Sequence, residues 1–345
     1  MPRMPNLGFI SPMLGKHAGY IPTQGQILSE HFSYSGYTVL AASSARMRVL
    51  RLLDISQLII QQHKRIDLLI VDVYGELSFI SEAIASWLAS RLGLKLVLHL
   101  HNGTLPSFIE RFPSWTKSVF QLADAIVTPS PFLARTIKPY GFQAHVIPNV
   151  IDLESYPFRN RQQIQPRLLW MRAFYPYYNP LMAIKSLSRI LKEYPEAQLV
   201  MAGKDKGMQQ EVQAYTRSIN ISDHVRFPGF LDMEGKIHEG NAADIFLNTN
   251  HVDNMPVGVI EACALGLPVI STNVGGIPDM LQDHQTGLLV PDNDDGAMAV
   301  AIFALLKDPK LTSRLSRNGR QFAERSSWTQ VRFQWEKLFE ILMEA

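Results

Sequence analysis

The chain has 345 residues, 33 Lys and Arg against 31 Asp and Glu, a formal net charge of +2 and one cysteine. That length allows about two domains with full cores, and the near balance of charge excludes nucleic acid as a general partner. Lone Cys263 excludes an internal disulfide framework and fits a reducing compartment; no apolar run nears the ~20 residues of a membrane span, and signal-peptide order is lacking, so a soluble cytoplasmic chain is expected.

Short apolar runs alternate with helical patterns from the start. Residues 7–10 predict a first strand, followed by a loop holding Gly15 and Gly19. Thr23 and Gln26 have capping-box spacing and open a helix that Gly36 closes. Strands follow at 38–42, 66–73, 94–101, 125–128 and 145–148, with helical patterns such as 79–92 between them. Alternation of this kind predicts a parallel sheet covered on both faces.

Residues 152–166 are polar and aperiodic and read as a linker. The series then restarts with strands at 167–171, 197–202, 224–227, 244–248, 268–272 and 287–290, and helices at 180–193 and 297–306. The predicted organisation is α/β, with two doubly wound Rossmann-like domains facing a cleft and ligands at the carboxyl ends of strands. Their bounds are 1–158 and 159–327, with 328–345 as a closing helix.

The densest signal is at 253–279. Asp253 and Glu261 lie eight residues apart around a predicted helix start, where Asp253 or Asn254 can cap and Pro256 suits the first turn. Gly266 stands where that helix ends, Pro268 just beyond it, and Gly275-Gly276 follow the next strand. A helix start between two parallel strands offers N–H groups and a positive dipole end to a phosphate. Glu261, more than one turn inside, is placed to accept from sugar hydroxyls. The layout reads as a nucleotide-sugar site.

This stretch resembles the signature of the retaining glycosyltransferases of GT-B fold, the glycosyl transferases group 1 or family 4-like enzymes: a Glu, seven residues, a second Glu, and an Ala-rich run closed by Gly-x-Pro. Here Asp253 replaces the first Glu, Pro256 stands where Gly is common, and Glu261 is intact. The resemblance implies transfer of a sugar from a nucleotide-diphosphate sugar to a hydroxyl acceptor, lipid-linked or polysaccharide, with no cofactor and no metal. It places Glu261 on the ribose, Asp253 on the sugar and Arg172, at the family's Gly-Arg position, on the departing diphosphate. It also places His101, at the end of the fourth strand, beside the donor sugar, and sends the segment 328–342 back to the first domain. His99, two residues deeper, reads as structural.

Family members add a lysine five or six residues beyond the arginine, where this chain has Tyr177 and Tyr178. Lys204 or Lys206 are the candidate replacements, although a Lys-Asp-Lys loop is ordinarily just solvated. Gly15 and Gly19 stand where the family carries a Gly-Gly pair against the phosphates. Gly275-Gly276 fit either backbone approach to the donor or an ordinary tight turn. The Pro148–Asp152 run matches a family hinge-side turn, and Ser130 a family serine whose expected use is a cap. No Gly-x-Gly-x-x-Gly follows a strand, which disfavours a nicotinamide cofactor.

Three readings stay open in the residues themselves. Cys263 reads better as a small core residue than as a nucleophile. Phe108, Phe112, Trp115 and Phe120, interleaved with Arg111 and Lys117, fit an acceptor or peripheral membrane contact, though a core-facing amphipathic helix is commoner. Arg46, Arg48 and Arg51 form a second basic patch of the same kind. The alternatives to transfer are a GT-B epimerase or phosphorylase, and a subunit that binds nucleotide sugar without turning it over.

Overall fold

Each run of branched and aromatic residues between turn residues becomes a strand in the computed structural model, which describes residues 4–17 and 19–344. The chain divides into two compact units, 1–150 with 328–345, and 151–327.

In the first unit, β1 (Leu7–Ile10), β2 (Val39–Ala42), β3 (Leu68–Val73), β4 (Lys95–Leu100), β5 (Ala125–Thr128) and β6 (His145–Val146) form one parallel sheet of order β2-β1-β3-β4-β5-β6. The order reverses between β1 and β3, so connecting segments diverge there and leave a crevice at the carboxyl ends. All six residues of β3 are buried, although one of them is Asp72. The helix Trp328–Glu344 belongs to this unit, where Val331, Trp335, Leu338 and Phe339 pack with Leu7, Phe9, Phe32 and Leu68.

The second unit repeats the plan with β7 (Arg167–Met171), β8 (Gln198–Ala202), β9 (Val225–Gly229), β10 (Ile245–Asn248), β11 (Val269–Thr272) and β12 (Leu288–Val290). Their order is β12-β11-β10-β7-β8-β9, again parallel, and it reverses between β7 and β10. The apolar faces of Pro180–Ile190 and Asp295–Lys307 cover one side of this sheet, and Val257–Ala264 contributes to the second core cluster of the unit.

Several local expectations change. The polar stretch read as a linker is mostly exposed but anchored at Arg161, which is 2% exposed and donates to the carbonyls of Arg159, Leu265 and Gly240. Charge count hid this, because a guanidinium that donates to several backbone carbonyls can be buried. Residues 151–158, grouped above with the first half, lie in the second unit, where Ile151 and Tyr156 join its core. Thr23 caps its helix by accepting from Gln26 N, but the Gln26 side chain accepts from Gly15 N instead of closing a capping box. Ser130 caps Pro131–Ile137. The aromatic cluster is split: Phe108 and Phe120 are buried, Phe112 and Trp115 are exposed, and Phe79, Phe108 and Trp115 pack ring on ring.

Candidate functional site

In the second unit the reversal of strand order brings together the ends of β7 and β10. Arg172, next after β7, is held in the ladder by its N–H on Ala202 O at 3.0 Å. Its guanidinium pairs with the Asp253 carboxylate and lies 4.2 Å from the centre of the Tyr178 ring. Tyr178 thus supplies a π face where a lysine was sought. Asp253 also accepts from Asn250 Nδ2 at 2.6 Å and from Asn254 N at 2.8 Å. With its oxygens so engaged, it does not cap the next helix. That helix, Val257–Ala264, has Pro256 at its N-cap and no side-chain cap, which leaves the positive dipole end to other partners.

Glu261 lies on the second turn of this helix and is buried. Its Oε1 accepts from Tyr156 OH at 2.8 Å and from Lys236 Nζ at 2.6 Å. Burial, then the Glu261 charge and hydrogen bond, push the Tyr156 hydroxyl well above its ordinary pKa, so it stays a donor. Lys204 and Lys206 are exposed, on a turn closed by Asp205 accepting from Gly207 N and Gln209 N. The cation on the Glu261 carboxylate is Lys236.

The glycines of the motif have an intramolecular cause. A Cβ on Gly275 would stand 2.0 Å from Asp253 O, and one on Gly276 2.0 Å from Asn254 O. Gly276 N donates to Asp253 O at 2.9 Å. The turn after β11 is therefore pressed onto the segment that carries Asp253. In the first unit, a Cβ on Gly15 would meet Pro22 at 2.7 Å, whereas Gly19 is bare because its φ is +78°. Cys263 is fully enclosed and burial pushes its thiol up to about 12, which fits the core reading.

The first unit concentrates its polar groups at the carboxyl ends of β1, β3 and β4. Asp72 and His99 are register partners, so their side chains share a face, and His101 follows on that face two residues on. Asp72 Oδ1 lies 3.1 Å from His99 Nδ1 and 3.0 Å from His101 Nε2. Asp72 Oδ2 accepts from Ser11 Oγ at 2.5 Å, Gly25 N at 3.1 Å and Tyr74 OH at 3.3 Å. Burial alone would raise the Asp72 carboxyl; the charge and hydrogen bonds of His101 and His99 outweigh it and hold the group well below the usual range. An ionised carboxylate only accepts, so His99 Nδ1 and His101 Nε2 carry the protons. Burial, followed by the neighbouring His101, lowers His99 to about 4.

His101 was expected open and His99 enclosed. His99 is 2% exposed, against the Trp335 ring at 5.2 Å, but His101 is also buried, at 6%, under the Tyr74 ring at 5.0 Å. The strand register also makes a cluster that was not anticipated: the ligand-capable atoms of Asp72, His99 and His101 lie within 4.8 Å of one another. At the distances above they are joined through protons, a separation shorter than the ~3.3 Å that tetrahedral bonds of ~2.0–2.1 Å would set between ligand atoms.

Two family descriptions match the chain in succession: Glycosyltransferase Family 4 over residues 27–155 and Glycosyl transferases group 1 over residues 155–322. The chain belongs to the glycosyl transferases group 1. Its fold is GT-B: a sucrose-phosphate synthase from Thermosynechococcus elongatus superposes with a TM-score of 0.80 at 19% identity, covering 99% of this chain and 100% of that one. Anabaena Alr3699/HepE in complex with UDP-glucose gives 0.75 at 17% identity, with 99% and 100% covered. Among curated relatives, a phosphatidyl-myo-inositol mannosyltransferase of Mycobacterium leprae is 26% identical over 210 residues, 59% of this chain and 55% of that protein. The chain spans less than two thirds of the length of such relatives.

Within this group 1 glycosyltransferase, the sequence motif named Arg172, Asp253 and Glu261 but not their partners. Lys236 and Tyr156 stand 25 and 105 residues from Glu261, on elements with no motif of their own. Asp72 was also missed, although a lone carboxylate inside the apolar run 68–73 was a visible signal.

Proposed function

We propose that the protein transfers a sugar, with retention of anomeric configuration, from a nucleotide-diphosphate sugar to a hydroxyl acceptor. The observation that carries this reading is the arrangement at the β7/β10 reversal: Arg172 with Asp253, Lys236 with Glu261, and an uncapped helix start between them in the chain. Two cations and a dipole end suit a diphosphate, and two carboxylates suit ribose and sugar hydroxyls.

In this reading Glu261 accepts from the ribose, with Tyr156 and Lys236 fixing its carboxylate. Arg172 meets the diphosphate, whose negative charge grows as the glycosidic bond breaks, and Asp253 aims the guanidinium while contacting the sugar. Preorganised charge at a departing phosphate is a large source of rate enhancement. Lys204, Gly15, Gly19, Gly275 and Gly276 remain secondary donor-side assignments. His101, held by Asp72, is assigned a part in turnover. No metal or cofactor enters the scheme.

HepE was crystallised with UDP-glucose and another relative is named a glycogen synthase, so uridine diphosphate sugars are the first donors to test. A thermal-shift screen of nucleotide sugars, followed by donor hydrolysis without acceptor, decides the matter. Stabilisation and slow hydrolysis are expected. Stabilisation without hydrolysis or transfer would leave a binding subunit, and no stabilisation by any nucleotide sugar would end the proposal.

A further inference from the structure

The helix Arg48–Gln62 of the first unit is turned outward in an unusual way. Only Ile55 and Ile59 of its fifteen residues are buried. On the opposite side Val49, Leu50, Leu53 and Ile60 are 67, 50, 61 and 52% exposed. At 100° per residue, Val49, Leu53 and Ile60 fall on one stripe, with Leu50 at its flank. Polar residues usually fill such a stripe on a water-facing helix. Here exposed Gln57 is the one polar side chain of the helix that falls between these four, and no charged one does. The lone carboxylate of the helix, Asp54, accepts from Ser43 Oγ.

The surroundings are basic and aromatic. Arg46 and Arg48 are exposed at the N-terminal end, and Lys64 and Arg65 at the C-terminal end. The adjacent helix Phe79–Arg91, which shares a core cluster with Ile55 and Ile59, presents a half-exposed Trp87 with the Arg91 guanidinium 5.6 Å from its ring centre. An apolar stripe with flanking arginines and a tryptophan matches a helix that lies in a lipid headgroup layer.

We propose that this face docks the protein on an anionic membrane surface, with Val49, Leu53 and Ile60 entering the acyl boundary and Arg46, Arg48 and the Lys64-Arg65 pair meeting lipid phosphates. A second copy of the chain is the poorer occupant. A two-fold contact through this stripe would bring arginines of both copies together with no carboxylate on the stripe to meet them. The surface is distinct from the aromatic segment 108–120, where Phe108 and Phe120 are buried and Phe112 and Trp115 are each 38% exposed. No helix of the described residues is long and apolar enough to cross a membrane, so the contact is peripheral.

The test is co-sedimentation of the full chain with vesicles of phosphatidylcholine alone and of phosphatidylcholine mixed with phosphatidylglycerol. Binding is expected to the mixed vesicles only, weakening as salt shortens the range of charge interactions. Leu53→Glu should reduce the partition coefficient by about tenfold or more, with the circular dichroism spectrum unchanged because Leu53 is outside the core. Arg46→Glu with Arg48→Glu should act in the same direction. Equal binding by Leu53→Glu, or no binding of the parent chain to mixed vesicles, would overturn the proposal. So would light scattering that shows a dimer dispersed by Leu53→Glu, which would assign the face to a second copy. Nucleotide-sugar affinity, measured on the same variants, reports separately on the transferase reading.

Discussion

Asp72 Oδ1 lies 3.0 Å from His101 Nε2, and this contact sets which imidazole nitrogen is available. The carboxylate is ionised and can only accept, so Nε2 carries a proton and Nδ1 is the nitrogen turned to other partners. Asp72→Asn keeps the shape but can offer an N–H in place of an acceptor. It should lower kcat by roughly ten- to a hundredfold, if tautomer control is worth about 1.4–2.8 kcal/mol, with donor KM little changed. Nitrogen-15 NMR of the histidine rings checks the cause, since the tautomer signature of His101 should change in the variant. His101→Ala should abolish most turnover while the fold persists. His99→Ala should chiefly lower the melting temperature, because it empties space beside Trp335.

Arg172 acts where charge grows. Arg172→Ala should lower kcat more than it raises donor KM, by about ten- to a thousandfold if the lost contact resembles other transition-state donors. Steady-state kinetics with varied donor separates the two. A change in KM alone would reduce Arg172 to a binding residue.

Glu261 and Lys236 should behave as a unit. A charged hydrogen bond is worth roughly 1.5–3 kcal/mol, so Glu261→Ala should weaken donor binding by about ten- to a hundredfold in a calorimetric titration. Lys236→Met should weaken it too, and the double variant should cost less than the sum, since both changes break one contact. Full additivity would show that Lys236 serves another purpose.

Glu82 makes stability depend on pH. Burial pushes its carboxyl from 4.5 to about 7, offset in part by the N–H groups of Tyr74 and Gly75. The folded state therefore binds a proton that the unfolded state releases between those values, and stability falls as pH rises through that window. Glu82→Gln should flatten this part of the profile in melting curves recorded from about pH 5 to 7.5, with a gain of up to ~3 kcal/mol at the upper end.

Arg161 is a stability residue. Its guanidinium satisfies carbonyls of three separate segments and has no carboxylate partner among its hydrogen bonds. Arg161→Met fills similar volume but strands those acceptors, so a loss of about 3 kcal/mol or more is expected in urea unfolding.

The strand series, the two-unit plan and the motif around Glu261 were legible from sequence because they rest on local rules. Apolar runs of strand length, turn glycines and a helix stop at Gly266 are set by neighbours a few residues apart, and Gly266 does take the left-handed conformation that such a stop needs. Even there, local rules offered Asp253 or Asn254 as a cap, and Asp253 is instead engaged by Arg172, 81 residues away. Tertiary structure alone decided what each working group touches. The parallel register set Asp72 beside His99, the reversal of strand order brought Arg172 to Asp253, and packing around Leu265 made room for Arg161. Such contacts follow from topology and burial, which act across the whole unit and leave no period in the chain.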